Sequence, residues 1–139
     1  MALHRNFING EWLEGKGVRE NLNPSDLTDI VGEYAQADKA QTEAAIAAAK
    51  AAQPAWAAAT PQVRADALEF IGTELLARKD EIGRLLSREE GKPLSNGIAE
   101  TMRAAQIFKF FAQETLRVEG VAVSSSRPGV DVLITREAV

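Results

Sequence analysis

The segment LSREEGKPLSNG, Leu86 to Gly97, places adjacent carboxylates at Glu89 and Glu90, then a glycine, Lys92 and Pro93, between two stretches of helical periodicity. Two carboxylates could divide general acid and general base work. Neighbouring residues on a helix point in different directions, however, and nothing in the surrounding sequence marks a buried site that would raise one pKa. The other reactive side-chain types are sparse. His4 is the single histidine, with no second imidazole to complete a ligand pair, and reads as solvated surface. The chain has no cysteine, which excludes disulfides, thiolate metal sites and a thiolate nucleophile from these residues. There is no Gly-x-Gly-x-x-Gly loop to cradle a pyrophosphate and no locally supported His–carboxylate pair. No residue is assigned a catalytic role.

The elements that must position this segment can be read along the chain. Phe7 and Ile8 before Asn9-Gly10 predict an N-terminal β-hairpin. Asn23-Pro24 opens a turn, and Ile30, Val31 and Tyr34 predict a short strand that pairs with the hairpin. Asp38 with Gln41 makes a capping-box start for an alanine-rich helix that Pro54 stops or kinks, its small side chains allowing close helix packing. Thr60-Pro61 starts a second helix, with Val63, Ala67, Ile71 and Leu75 along one stripe. The charged run Arg78 to Glu81 reads as a break, Ile82, Leu85 and Leu86 resume the pattern, and Gly91 fits the position just after a helix end. Ser95 to Glu119 is the longest predicted helix, with Ile98, Met102, Ala105, Phe108 and Ala112 on one stripe and Ile107 and Phe111 widening it, so burial on more than one side is expected. Arg127-Pro128-Gly129 is a turn, and Val130 to Arg136 a strand without its partners.

Composition bounds the function classes. A length of 139 residues with 45% hydrophobic and 26% charged residues suits one globular core. A net charge of −4 argues against a phosphate-backbone binder, so no nucleic-acid partner is expected. No apolar run reaches membrane-spanning length and the N-terminus lacks a secretory apolar region, so the expectation is a cytoplasmic protein with no membrane partner.

The run EEGKPL resembles the Glu-x-Gly-Lys-Pro segment of NAD(P)-dependent aldehyde dehydrogenases. FINGEW at Phe7, NPSD at Asn23, PAW at Pro54, FKFFAQE at Phe108 and ITREAV at Ile134 occur in that family's order and approximate spacing. Within the family, NPSDLTDIVGEYAQAD and RAAQIFKFFAQE are most similar to the α-ketoglutaric semialdehyde (2,5-dioxovalerate) dehydrogenase branch. The resemblance implies the N-terminal part of that α/β fold, mostly helical, with an N-terminal hairpin and a C-terminal strand. It implies that residues 1–129 belong to the cofactor-binding domain and that 130–139 begin the oligomerisation strand. It also implies that the nucleophilic cysteine, the oxyanion donors, the glutamate base and the NAD(P) site all lie beyond Val139, so that this chain alone is inactive and binds no cofactor. Its partners are then the remainder of its own subunit, sister subunits of a homo-oligomer and, in the complete enzyme, a small aldehyde.

Two site assignments come from the same resemblance. Glu89, with the carbonyls of Asn21 and Leu22, would hold a monovalent cation, K+ or Na+; the alternative is a solvated acid at a helix end. Arg103 would face the substrate entrance tunnel, the alternative being a surface arginine paired with Glu100. Lys92 and Pro93 read as turn-formers, and Phe108, Phe110 and Phe111 as core first and tunnel lining second. A second class of function also fits the sequence: a small helical interaction or adaptor protein, or a gene remnant. The reading frame downstream of Val139 distinguishes the two classes, by running on into a cysteine-containing half or by stopping.

Overall fold

Asn9 and Gly10 take φ values of 52° and 84° and turn the chain between β2 (Asn6–Ile8) and β3 (Glu11–Leu13). The computed structural model, which describes residues 3–137, thus contains the hairpin that the Asn-Gly pair predicts. Phe7 and Trp12 are cross-strand partners, their rings 4.9 Å apart.

The next strand differs from expectation. Residues Asp26–Gln36 form an 11-residue strand, β5, and it pairs with neither β2 nor β3. It runs antiparallel to β4 (Gly17–Asn23) and parallel to the short β1 (Leu3–His4), in the order β1-β5-β4. β4 escapes sequence reading because GVRENLN is largely exposed and no buried face imposes an apolar alternation on it. Asn23, Pro24 and Ser25 do form the predicted turn, here the connection between β4 and β5. His4 is exposed, as expected, with its ring stacked on Tyr34 at 4.7 Å.

Asp38 caps α1 (Lys39–Ala58) by accepting from the Gln41 amide at 2.8 Å. The Gln41 side chain does not return to the cap. It donates to the Glu14 carbonyl and accepts from Asn6, tying the helix start to the hairpin region. Pro54 does not stop the helix: it sits at an exposed position of a helix with no buried residue, where the lost N–H bond falls at a solvated surface. The alanines likewise differ from expectation, since Ala45, Ala48, Ala49 and Ala52 line a groove with the β2–β3 turn rather than another helix.

Three further helices form the second layer: α2 (Pro61–Ala77), α3 (Lys79–Glu90) and α4 (Leu94–Glu114). Thr60 caps α2 and Gly91 ends α3 in the left-handed conformation at φ 68°, both where the sequence places them, but the break expected over Arg78 to Glu81 narrows to Arg78, because Asp80 and Glu81 stand in the first turn of α3, where the helix dipole favours acids. α4 packs along both α2 and α3 through small residues. Its buried positions are Gly97, Thr101, Ala105 and Ala112; Gly97 lies against Gly83 of α3, and the Ala105 backbone against Gly72 of α2. Helices whose contact residues are glycine and alanine approach closely, and dispersion rather than large buried side chains holds them. Burial on more than one side of α4 is not found; Met102, Ile107, Phe110 and Phe111 are exposed, so Phe110 and Phe111 are not core of this chain. α4 also ends earlier than predicted, because the Thr115 hydroxyl donates to the Ala112 carbonyl and the chain tightens into a 3-10 turn, Thr115–Arg117.

The C-terminal strand has a partner that the sequence reading did not supply. β6 (Val121–Ser124) and β7 (Asp131–Ile134) form an antiparallel hairpin around the Arg127-Pro128-Gly129 turn, with Gly129 at φ 73°. Both strands are exposed throughout.

Gly97 tests the close packing. A Cβ there would lie 2.3 Å from the Gly83 carbonyl oxygen, so α3 and α4 must separate. Overpacking of this kind costs about 1–3 kcal/mol, against roughly 1 kcal/mol gained in helix propensity. Gly97→Ala is expected to lower the thermal midpoint by calorimetry; an unchanged or raised midpoint would show that the helices have slack.

Candidate functional site

The last turn of α3 carries Arg88 and Glu89, followed by Gly91, and each of the three reaches the β4–β5 hairpin. Arg88 donates Nε to Asp29 Oδ2 at 2.9 Å and Nη2 to Asp29 Oδ1 at 2.6 Å, with a further bond to the Ile30 carbonyl at 3.2 Å. Glu89 Oε1 accepts from Asn21 Nδ2 at 2.9 Å. The Gly91 carbonyl accepts from Ser25 Oγ at 2.7 Å. A Cβ on Gly91 would come within 2.6 Å of that hydroxyl and 2.8 Å of the Pro24 ring, so glycine serves both the helix stop and the docking.

The hairpin side is ordered by its own hydrogen bonds. Asn23 Oδ1 accepts from the Ser25 amide at 2.9 Å, a local turn bond of the Asx type, and Asn23 Nδ2 donates to Asp29 at 3.2 Å. The ladder between β4 and β5 shifts register between Asn21 and Leu22 and again between Leu22 and Asn23. A register shift interrupts the regular pairing of main-chain groups. Beside this break lies an open groove of about 460 Å³ lined by Arg19, Glu20, Asn21, Leu22, Tyr34, Gln36 and Glu89. Asn21, Leu22 and Glu89, the three residues that the resemblance implies for a cation site, all line this groove.

The electrostatics derive from the helix end. Carbonyls at a helix C-terminus carry partial negative charge, so Glu89 and Glu90 are disfavoured there and Arg88 is favoured. Asn21 donates to Glu89, and Lys92 bridges Glu90 at 2.8 Å and Glu100 at 2.5 Å. The two carboxylates raise the Lys92 pKa, Glu100 more than Glu90. The guanidinium of Arg88, and then the amide of Asn23, holds the Asp29 carboxyl at about 2, below its ordinary 3.8.

Lys92 is thus more than a turn-former, joining the end of α3 to the second turn of α4. It also takes the partner expected for Arg103. Glu100 pairs with Lys92, and Arg103 is exposed with no ion pair or side-chain hydrogen bond among the described residues. Sequence reasoning missed Arg88, Asp29 and Ser25. Asp29 and Arg88 are 59 residues apart and Ser25 and Gly91 are 66 apart, and no local pattern encodes such pairs. Among the described residues no three His, Cys, Asp or Glu side chains cluster to hold a metal, and no helix is long and apolar enough to cross a membrane.

Comparison with known proteins gives a consistent match. The model of the aldehyde dehydrogenase family matches residues 12–139. The chain is 31% identical, over 97% of its length, to an alpha-ketoglutarate semialdehyde dehydrogenase of Haloferax volcanii, and 30% identical over 96% to a glutarate-semialdehyde dehydrogenase of Pseudomonas putida. It spans 28% of the length of each. A betaine aldehyde dehydrogenase of Staphylococcus aureus, solved with NAD+, superposes with a TM-score of 0.90 at 25% identity, over 96% of this chain and 28% of that one.

The Asp29 shift has a consequence for pH. A carboxylate whose pKa is lower folded than unfolded contributes stability fully above about 4, lost as pH falls through about 2. Urea unfolding of the wild type is expected to weaken more steeply from pH 4 to pH 2 than that of Asp29→Asn, which is the less stable at pH 7. Parallel pH profiles would show that the Arg88 pair does not act on stability.

Proposed function

The chain belongs to the aldehyde dehydrogenase family, and from that premise we propose that it forms the N-terminal scaffold of a cytoplasmic, homo-oligomeric subunit oxidising an acidic semialdehyde with NAD(P)+. α-Ketoglutaric semialdehyde, converted to 2-oxoglutarate, is the substrate this reading favours. The observation that carries it is the near-complete match of the chain to relatives named for semialdehydes that bear a carboxylate. In this reading residues 1–129 sit in the cofactor-binding domain and 130–139 begin the oligomerisation strand. The exposed apolar face of α4 and the exposed β6–β7 hairpin are surfaces for the remainder of the subunit and for sister subunits to cover.

The bound nicotinamide supplies the hydride acceptor of the complete enzyme, and none of these residues is assigned to it, since no pyrophosphate loop occurs among them. Arg103, exposed and unpaired by Glu100, is free to meet the substrate carboxylate at the tunnel mouth. A planar guanidinium grips a carboxylate through two parallel hydrogen bonds, a contact of about 1.5–3 kcal/mol, or roughly 10- to 150-fold. The complete subunit should form NAD(P)H from α-ketoglutaric semialdehyde while residues 1–139 alone should not. Arg103→Met should lower kcat/KM for that substrate by this factor and spare an uncharged aldehyde of similar length. Equal losses on both substrates would remove Arg103 from specificity, and turnover by the isolated chain would overturn the scaffold reading.

The same reading assigns a monovalent cation to the hairpin groove. In this reading the donors would be a carboxylate oxygen of Glu89 and the main-chain carbonyls of Asn21 and Leu22, residues that line the groove beside the break in the ladder, an all-oxygen set suited to a hard ion. K+ or Na+ there would offset the unfavourable charge of Glu89 at its helix end. Glu89→Ala should reduce the dependence of thermal stability on KCl or NaCl, and Glu90→Ala, whose carboxylate goes to Lys92, should not. Identical salt titrations for the two variants would leave Glu89 as a solvated acid.

A further inference from the structure

Resting on the cation reading, we propose that Arg88 is the positioning residue of the site: its clamp on Asp29 and Ile30 fixes the rotation of α3 and so holds the Glu89 carboxylate at Asn21. Consecutive residues of an α-helix diverge by about 100° around its axis, so pinning one of them sets the direction of the next. Arg88 is pinned at three points, two on Asp29 and one on the Ile30 carbonyl. Asp29 is itself held by Asn23, which closes the turn between β4 and β5.

Glu89 lacks such support. It is exposed, and the Asn21 amide is its one side-chain partner among the described residues. A carboxylate on a flexible stem with one neutral contact does not define a coordination geometry alone. The clamp has what it lacks: side chains only 39% and 30% exposed, a planar fork and two parallel bonds. A lysine in place of Arg88 would keep the charge and lose the fork, which separates attraction from orientation.

The complete subunit carrying this chain is titrated with K+, at ionic strength held constant by N-methyl-D-glucamine, while the thermal midpoint is monitored. The wild type should gain stability with a defined half-maximal K+ concentration, and Glu89→Gln should abolish that gain. Arg88→Lys and Asp29→Asn should keep the fold in N-methyl-D-glucamine yet raise the half-maximal K+ concentration about tenfold, within the range usual for residues that orient a ligand. A wild type insensitive to K+ overturns the cation reading and this inference together. A K+ response that Glu89→Gln abolishes but both clamp variants leave at the wild-type midpoint overturns the inference alone. Should one clamp variant fail to fold, the midpoint of the other decides.

Discussion

The close docking of the end of α3 onto the β4–β5 hairpin is the contact on which the rest of this structure depends. It joins the sheet layer to the helical layer across a long loop of chain, through Arg88, Glu89 and Gly91 on one side and Asp29, Asn21 and Ser25 on the other. Its side chains are polar and half-exposed, and a half-exposed ion pair adds modest stability while defining a geometry closely. Each bond constrains a different feature: the rotation of the helix, the aim of a carboxylate and the place where the helix stops.

The helical layer obeys a different constraint. α4 meets α2 and α3 over glycine, alanine and threonine, so backbones rather than large side chains come together, and the large apolar residues are displaced to outer faces. Among the described residues no large side chain is fully buried. Large apolar residues are thus left on the outer faces of a chain that spans 28% of the length of the relatives it matches.

The charges flanking the Gly-Lys-Pro turn illustrate how one arrangement serves both layers. Glu89 and Glu90 stand at the unfavourable end of a helix, and the fold answers each with a different donor: Asn21 from the sheet and Lys92 from the turn itself. Lys92 also takes Glu100, which leaves Arg103 without the partner that helical spacing predicts. The two adjacent acids that look equivalent in sequence are thereby distinguished, one facing a groove and the other bound into the turn.

Features governed by a few neighbouring residues were determined by the sequence itself. The Asn9-Gly10 turn, the Asp38 and Thr60 caps, the break at Arg78 and the Gly91 stop all arise from local backbone preferences and side-chain bonds spanning three or four residues. The family, too, was legible, because short motifs survive in order along the chain. Tertiary structure decided what local preference cannot reach: that β5 pairs with β4 and β1 rather than the hairpin, that β6 accompanies β7, and that Pro54 is carried through a solvated helix. It also decided the composition of the candidate site. Glu89, Asn21 and Leu22 could be named in advance, but Arg88 and Asp29 meet only because helix and hairpin dock, and a contact between residues 59 apart leaves no periodic trace in the chain.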